Sequence, residues 1–317
     1  MSQLPNAEVS RHRRFSTPKD LAMAQVSDHY NGSAPSYHEQ YDPEKILTNA
    51  EYPANYFRLN KVMRILKSRN VASVYELGAA EGSPIVRIAQ ELGVDVRASD
   101  LSSEMVRLGK ENFERNGLDP DLHTQVDIND REAVRAEANR VGQFDAVIAL
   151  GVIPHVEDDA WFVEAMSLFL KPGGTLILQF RNAMFSMFTF NRLTKEFILD
   201  DLMAPIGQQF KDQVATDLDQ RLAVDKPPKR EWDKDAPAYD EILARFHNPF
   251  ELSDVVAQRG FVDLSFTWYN FHPTYPMISG GIDSTEYRRQ QIELEDDESW
   301  RGMFLCSAGM IIATKSA

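Results

Sequence analysis

Cysteine is almost absent from this chain: Cys306 is the only one in 317 residues. A single thiol builds no intramolecular disulfide and no cysteine-based metal cluster, and nothing indicates an oxidising compartment, so a cytoplasmic location is the expectation. Long apolar runs are missing too. No stretch approaches the roughly 18 residues that a membrane span requires, and the opening "MSQLPNAEVSRHRRFSTPKD" lacks the apolar segment of a secretory signal. Positive charge is also short. With 34 Lys and Arg against 48 Asp and Glu, the formal net charge is -14, which repels a polyphosphate backbone unless a basic face is strongly segregated. Nucleic acid is therefore a poor partner, and a small molecule a better one.

What is present divides the chain. Residues 1–28 read as a polar tail, and 29–70 as a mainly helical, tyrosine-rich cap. From Val71 short apolar runs alternate with amphipathic stretches, the pattern of βαβ units around a parallel sheet. Strands are expected at 72–77, 94–99, 122–127, 144–150 and 174–180, and "LKPGGTLILQF" ends a helix and turns the chain into the last of these. The core would thus run over 71–182. Residues 183–245 break the rhythm and read as a helical insertion after the fifth strand, and 246–317 return to it. The helix "NPFELSDVVAQRGF" closes at Gly260, with strands at "VDLSFTWYNF" and "MFLCSAGMIIATK". The expected class is α/β, a Rossmann-like, mostly parallel sheet with helices on both faces.

In an open α/β sheet, ligands bind at the carboxyl ends of the strands, above all in the loop after the first. Here that loop is "VYELGAAEGSP", where Gly78 and Gly82 permit torsions that side chains forbid and Glu76 sets a carboxylate before the turn. Asp100 closes the second strand 22 residues after Gly78, the distance at which an acid accepts hydrogen bonds from ribose hydroxyls. Asp127 and Ile128 close the third and suit an adenine edge and face. A nicotinamide dinucleotide would share the ribose acid, but its third glycine is missing and Glu81 points negative charge where a pyrophosphate would sit. S-adenosylmethionine has no phosphate and carries two positive groups, so the two acids suit it.

These residues resemble the class I S-adenosylmethionine-dependent methyltransferases over about 30–182 and 246–314. The resemblance is carried by "VYELGAAEGSP", "ASDLSSEMV", "VDIND", "FDAVIALGVIPHVED" and "LKPGGTLIL", in order and at the expected spacings. It departs at Ala80, where many members have glycine. The resemblance implies seven strands with a reversed final hairpin, and S-adenosylmethionine held by Tyr37, Glu76, Gly78, Ala79, Ala80, Gly82, Asp100, Leu101, Met105, Asp127, Ile128 and Leu150. Tyr37 and Tyr30, in "HYNGSAPSYHEQY", either cover the cofactor or pack a helix on the sheet edge.

Methyl transfer from a sulfonium is an in-line displacement, so alignment and exclusion of water come before side-chain chemistry. His155, after the fourth strand, is either a general base beside the substrate or a structural histidine; His247 and His272 are further candidates. Arg181 and Asn182 can hold a polar substrate, although Asn182 also suits a helix cap. Phe185, Phe188, Phe190 and Phe197 in the insertion either line a pocket or bury the insertion against the body. Lys226, Lys229 and Arg230 are nearly cancelled by Asp225, Glu231 and Asp233. Asp158 and Asp159 beside His155 lack a remaining metal-ligand set, so no metal is expected. The resulting expectation is an enzyme that methylates a small or medium polar acceptor on oxygen: a sugar, a glycan intermediate or a natural product. Its rivals are methylation of nitrogen or of a protein or RNA, and a regulatory binder of the cofactor without turnover.

Overall fold

The computed structural model describes residues 53–222, 244–276 and 283–317; Tyr30, Tyr37, the polar tail and the charged stretch from Asp225 to Asp233 lie outside them. Helix α1 (Ala54–Ser68) leads into four βα steps and a fifth strand: β1 (Ser73–Leu77), α2 (Ser83–Leu92), β2 (Asp95–Asp100), α3 (Ser103–Arg115), β3 (His123–Gln125), α4 (Arg131–Val141), β4 (Phe144–Ala149), α5 (Asp159–Leu168) and β5 (Leu170–Arg181). Polar caps mark the helix starts. Ser102 accepts from the Met105 amide, Asp130 from Glu132 and Ala133, and Asp158 from Trp161. Such caps are worth about 1 kcal/mol each. Burying one Val, Leu, Ile or Phe side chain yields roughly 1.5–3 kcal/mol, so the packed sheet faces dominate.

Those faces follow from the two-residue period of strands. Val74, Ala146, Ile148 and Ile177 face α1, α2 and α3, where Leu59, Val62, Leu66, Ile85, Ile88 and Phe113 are fully buried. Tyr75, Val147, Ala149, Leu176 and Leu178 face the opposite layer, with Val134 of α4 and Phe162 and Met166 of α5. Helix α1 is therefore a sheet-covering layer, where a cap was expected.

After β5 come a 3-10 turn (Ala183–Phe188), α6 (Arg192–Glu196), a π-helical turn (Phe197–Leu202) and α7 (Gln208–Arg221), which buries none of its side chains. The chain rejoins the body through a parallel bridge between Asn182 and His247, then forms α8 (Pro249–Gln258), β6 (Phe261–Phe271), α9 (Ser284–Leu294), α10 (Gly302–Leu305) and β7 (Cys306–Lys315). The strand order is β3-β2-β1-β4-β5-β7-β6. Only β7 is reversed, pairing antiparallel with both β5 and β6. Hence β6 runs with the parallel set, and Gly78, Asp100, Leu150, Arg181 and His272 follow or end strands on one edge of the sheet.

Three strand boundaries differ from the sequence pattern, the last strand among them: it begins at Cys306, because Met303–Leu305 belong to α10. Strand β3 has three residues, so Asp127 and Ile128 lie in the turn beyond it: the Asp127 carboxylate accepts from the Asn129 amide at 2.9 Å and bends the chain away. Strand β5 begins at Leu170, paired with Phe144, and the next pair is Ala146 with Thr175. Lys171 to Gly174 bulge outward, with Lys171 Nζ anchored on Asp145 at 2.8 Å and Gly173 at φ 76°. Among the described residues no helix is long and apolar enough to cross a membrane.

Candidate active site

The loop after β1 consumes its own amides. Gly78 and Ala79 donate to the Ser99 carbonyl at 2.8 and 3.0 Å, Gly82 to the Ala79 carbonyl at 2.9 Å, and Ala80 to Asp100 Oδ2 at 2.8 Å. The Ser83 amide, first in α2, donates to Glu81 Oε2 at 2.6 Å. A phosphate at this helix start would have to displace a buried carboxylate, and the charge argument against a dinucleotide thereby gains a geometric form. Gly78, Ala80 and Gly82 all have positive φ, at 70°, 49° and 79°. Ala80 bears the cost of that conformation where glycine would not, and its bond to Asp100 holds it there.

Acceptors are in surplus nearby. Glu76 is 1 % exposed, and its Oε2 is buried without a hydrogen-bond partner. Burial pushes its carboxyl up to about 8; Arg58 works against this, while Glu81 and Asp100 add to it. Gln179 Oε1 on β5 is buried and equally partnerless. Asp100 uses Oδ2 on Ala80 and Oδ1 on the Ser102 amide at 2.9 Å, which leaves further lone pairs on both oxygens. Burial raises its carboxyl as well, against the amides of Ser102, Ala80 and Leu101. An orphaned carboxylate and an orphaned amide oxygen fit a ligand that brings positive charge and donor groups.

Sequence reasoning missed the cation at this edge. Arg58 of α1 is buried, with Tyr269 hydrogen-bonded to it, and its Nη1 lies 3.6 Å from where a Cβ on Gly151 would stand, with Gln179 Oε1 at 3.7 Å from the same point. The signal was there: Arg58 occupies the apolar stripe of Val62 and Leu66 at helical spacing, an out-of-pattern charge.

The remaining expected contacts separate. Leu101 is half-buried at the end of β2, and Leu150 and Ile128 are buried, the Ile128 carbonyl accepting from Trp161 Nε1 at 2.7 Å. Met105 has no exposed surface and is a core residue under α3. Asn182 is wholly buried; its Nδ2 donates to the Met303 and Cys306 carbonyls at 2.6 and 2.9 Å, and its Oδ1 caps Met184 at 3.1 Å. It is thereby corrected from a substrate contact to a fastener between β5 and β7. His247 Nε2 lies 3.3 Å from Asp159 Oδ1, and Arg245 pairs with the same carboxylate. Burial alone would raise Asp159, but His247 and Arg245 outweigh it and hold the carboxyl below the usual range. This cluster docks the returning chain on the start of α5. His155 sits in the turn Ile153–His155 and is 6 % exposed, whereas Arg181, at the end of β5, is half-buried with its guanidinium 5.6 Å from the Phe246 ring centroid.

Residues 75–176, which include the loop, Asp100 and the β4 end, match the family model described as a methyltransferase domain. That segment is a methyltransferase domain of the class I S-adenosylmethionine-dependent kind. A relative named ubiquinone biosynthesis O-methyltransferase, from Xanthomonas axonopodis pv. citri, is 30% identical over 127 residues, 40% of this chain and 50% of that one. Another of the same name, from Leptothrix cholodnii, is 26% identical over 162 residues, 51% of this chain and 62% of that one. The chain thus spans about half the length of the first of these curated relatives. The solved magnesium protoporphyrin IX methyltransferase of Synechocystis PCC 6803, with bound SAH, aligns at TM-score 0.49 and 14% identity, covering 93% of this chain and 100% of that one. The matched segment supplies Glu76, Gly78 and Asp100, while Arg58 and His272 lie on either side of it.

Proposed function

We propose that this chain transfers a methyl group from S-adenosylmethionine to a hydroxyl of a small or medium acceptor. The observation that carries the reading is the partnerless, buried Glu76 oxygen beside a loop whose amides are already spent. When bound, the cofactor supplies a methyl group on positively charged sulfur. Glu76 then holds the ammonium of the methionyl end, which restores its ionised form, and Arg58 at the β4 end faces the carboxylate of that same end. Asp100 accepts from the ribose hydroxyls through its unused lone pairs, and the turn at Asp127 and Ile128 borders the adenine. The β5 end with Arg181, and the turn bearing His155, frame the acceptor side. With His155 so deeply enclosed, alignment and exclusion of water have precedence over proton transfer by that ring.

Oxygen as the methylated atom is supported by the printed names of the two relatives, O-methyltransferases both. A sugar, a glycan intermediate and a natural product all offer such a hydroxyl, and the net charge of -14 speaks against RNA. The experiment is calorimetric titration of the protein with S-adenosylmethionine, NADH and ATP, followed by incubation with a deuterated methyl donor and a metabolite extract. Binding of the sulfonium alone and a deuterated methyl on an acceptor oxygen are expected. Occupation by NADH or ATP that S-adenosylmethionine fails to displace would end the reading.

A further inference from the structure

Two loops on the active edge of the sheet meet in a run of five rings. Phe185 and Phe188 belong to the 3-10 turn after β5, Phe190 follows them, and His272 and Tyr275 lie in the loop after β6. Centroids stand 4.6 Å apart for His272 and Phe185, 6.4 Å for Phe185 and Phe188, 6.3 Å for Phe188 and Phe190, and 5.5 Å for Phe190 and Tyr275. The sequence left two roles open for the phenylalanines, and the structure divides them: Phe185 and Phe197 are buried, while Phe190 is 48 % exposed.

Phe190 is displayed at a cost. Its φ is 50°, a region that bulky residues rarely enter and that persists only where the surroundings enforce it. The enforcement is visible on both sides. Thr189 and Asn191 are buried; Thr189 Oγ1 donates to Asn191 Oδ1 at 2.9 Å, Thr194 Oγ1 to the Ser186 carbonyl at 2.6 Å, and the Leu193 amide to Asn191 Oδ1 at 2.9 Å. A rigid turn thus holds an aromatic ring out toward solvent. His272 adds a second observation, since its Nε2 is buried without a hydrogen-bond partner. Burial holds that imidazole at about 4, uncharged at neutral pH and able to accept.

We propose that this run of rings is the acceptor wall, that it selects an acceptor bearing a flat aromatic ring, and that His272 Nε2 accepts a hydrogen bond from a donor on that acceptor. The proposal rests on the methyltransferase reading above and narrows it. A sugar requires several polar partners for its hydroxyls, and among the described residues the run of rings offers the His272 imidazole and the Tyr275 hydroxyl. Ring faces and edges at varied tilts instead match an arene, at about 0.5–1.5 kcal/mol per ring pair.

The test uses the full chain with S-adenosylmethionine present and three probes, 2-naphthol, 2-methylnaphthalene and methyl α-glucoside, with affinities measured by ligand-observed magnetic resonance. The wild type is expected to bind 2-naphthol, to bind 2-methylnaphthalene less well, and to ignore the glucoside. Phe190→Ala, a change at an exposed side chain, should weaken 2-naphthol by about threefold to tenfold and leave the S-adenosylmethionine affinity unchanged. His272→Phe should erase the preference for 2-naphthol over 2-methylnaphthalene. Preference for the glucoside, no arene binding, or full arene affinity in Phe190→Ala overturns the wall; a surviving naphthol preference in His272→Phe overturns its hydrogen bond. Loss of cofactor binding by the wild type would strike the methyltransferase reading instead, and is read in a separate titration.

Discussion

Gly78 and Val152 are matched across the loop after β1: a Cβ built on Gly78 would stand 2.3 Å from Val152 Cγ2. The glycine is therefore set by packing between the β1 and β4 ends as much as by its φ of 70°. Gly78→Ala should destabilise the protein by about 1–3 kcal/mol, and adding Val152→Ala should return much of that loss, because the two sites share one volume. Thermal melts of both single variants and the pair measure the coupling; strictly additive losses would show that the contact is not the cause.

Asp100 holds the Ala80 amide, and under the proposed function its spare lone pairs accept from a ribose. Asp100→Ala removes both, so S-adenosylmethionine affinity should fall by tenfold or more, at about 1.5–3 kcal/mol per charge-assisted bond. Asp100→Asn keeps an acceptor for Ala80 and should hold the loop while still losing affinity. Calorimetry that finds wild-type affinity in either variant would place the ribose elsewhere.

Glu76 predicts a proton linkage. Its carboxyl is raised from 4.5 to about 8 by burial, so across that window the folded state retains a proton that the unfolded state has released. Stability should therefore fall as pH climbs from about 4.5 to about 8, and Glu76→Gln should flatten the slope. An arriving ammonium reverses the preference, so cofactor binding at pH 7 should release close to one proton. Titrations in phosphate and in Tris should differ in apparent enthalpy, and identical enthalpies would refute the linkage.

Asp159 works in the opposite sense. Arg245 and His247 hold its carboxyl below 3.8, so its contribution is full above that pH and is lost as pH falls through the lowered value. Asp159→Asn should cost about 3 kcal/mol at neutral pH, because it removes a carboxylate charge from a mostly buried Arg245. Urea melts at pH 7 check the size. An Asp159→Asn protein as stable as wild type would mean that the cluster does not fasten the returning chain.

The sheet was legible because its strands obey simple local rules. Val74 and Tyr75, or Ile177 and Leu178, alternate between two apolar layers, and Gly78 and Asp100 stand at strand ends that the apolar runs themselves define. Where local and tertiary preferences compete, the reading slipped. The Val126 amide still donates to the Asp100 carbonyl just past β3, yet Asp127 folds back on the Asn129 amide and stops the pairing. Asn182 has the same polar side chain whether it meets a substrate or three backbone partners, and those partners lie up to 124 residues away. Arg58 escaped because its position beside Gly151 depends on how α1 packs, although its place in an apolar stripe was readable.

The bridge between Asn182 and His247 sets the two ends of a long excursion side by side. Chain entropy then makes its length almost irrelevant to the stability of the sheet, since doubling such a loop adds only about 0.6 kcal/mol to the closure term. The doorway is fixed and the furniture behind it is exchangeable: what passes through that gap can be replaced while the strands on either side keep their places.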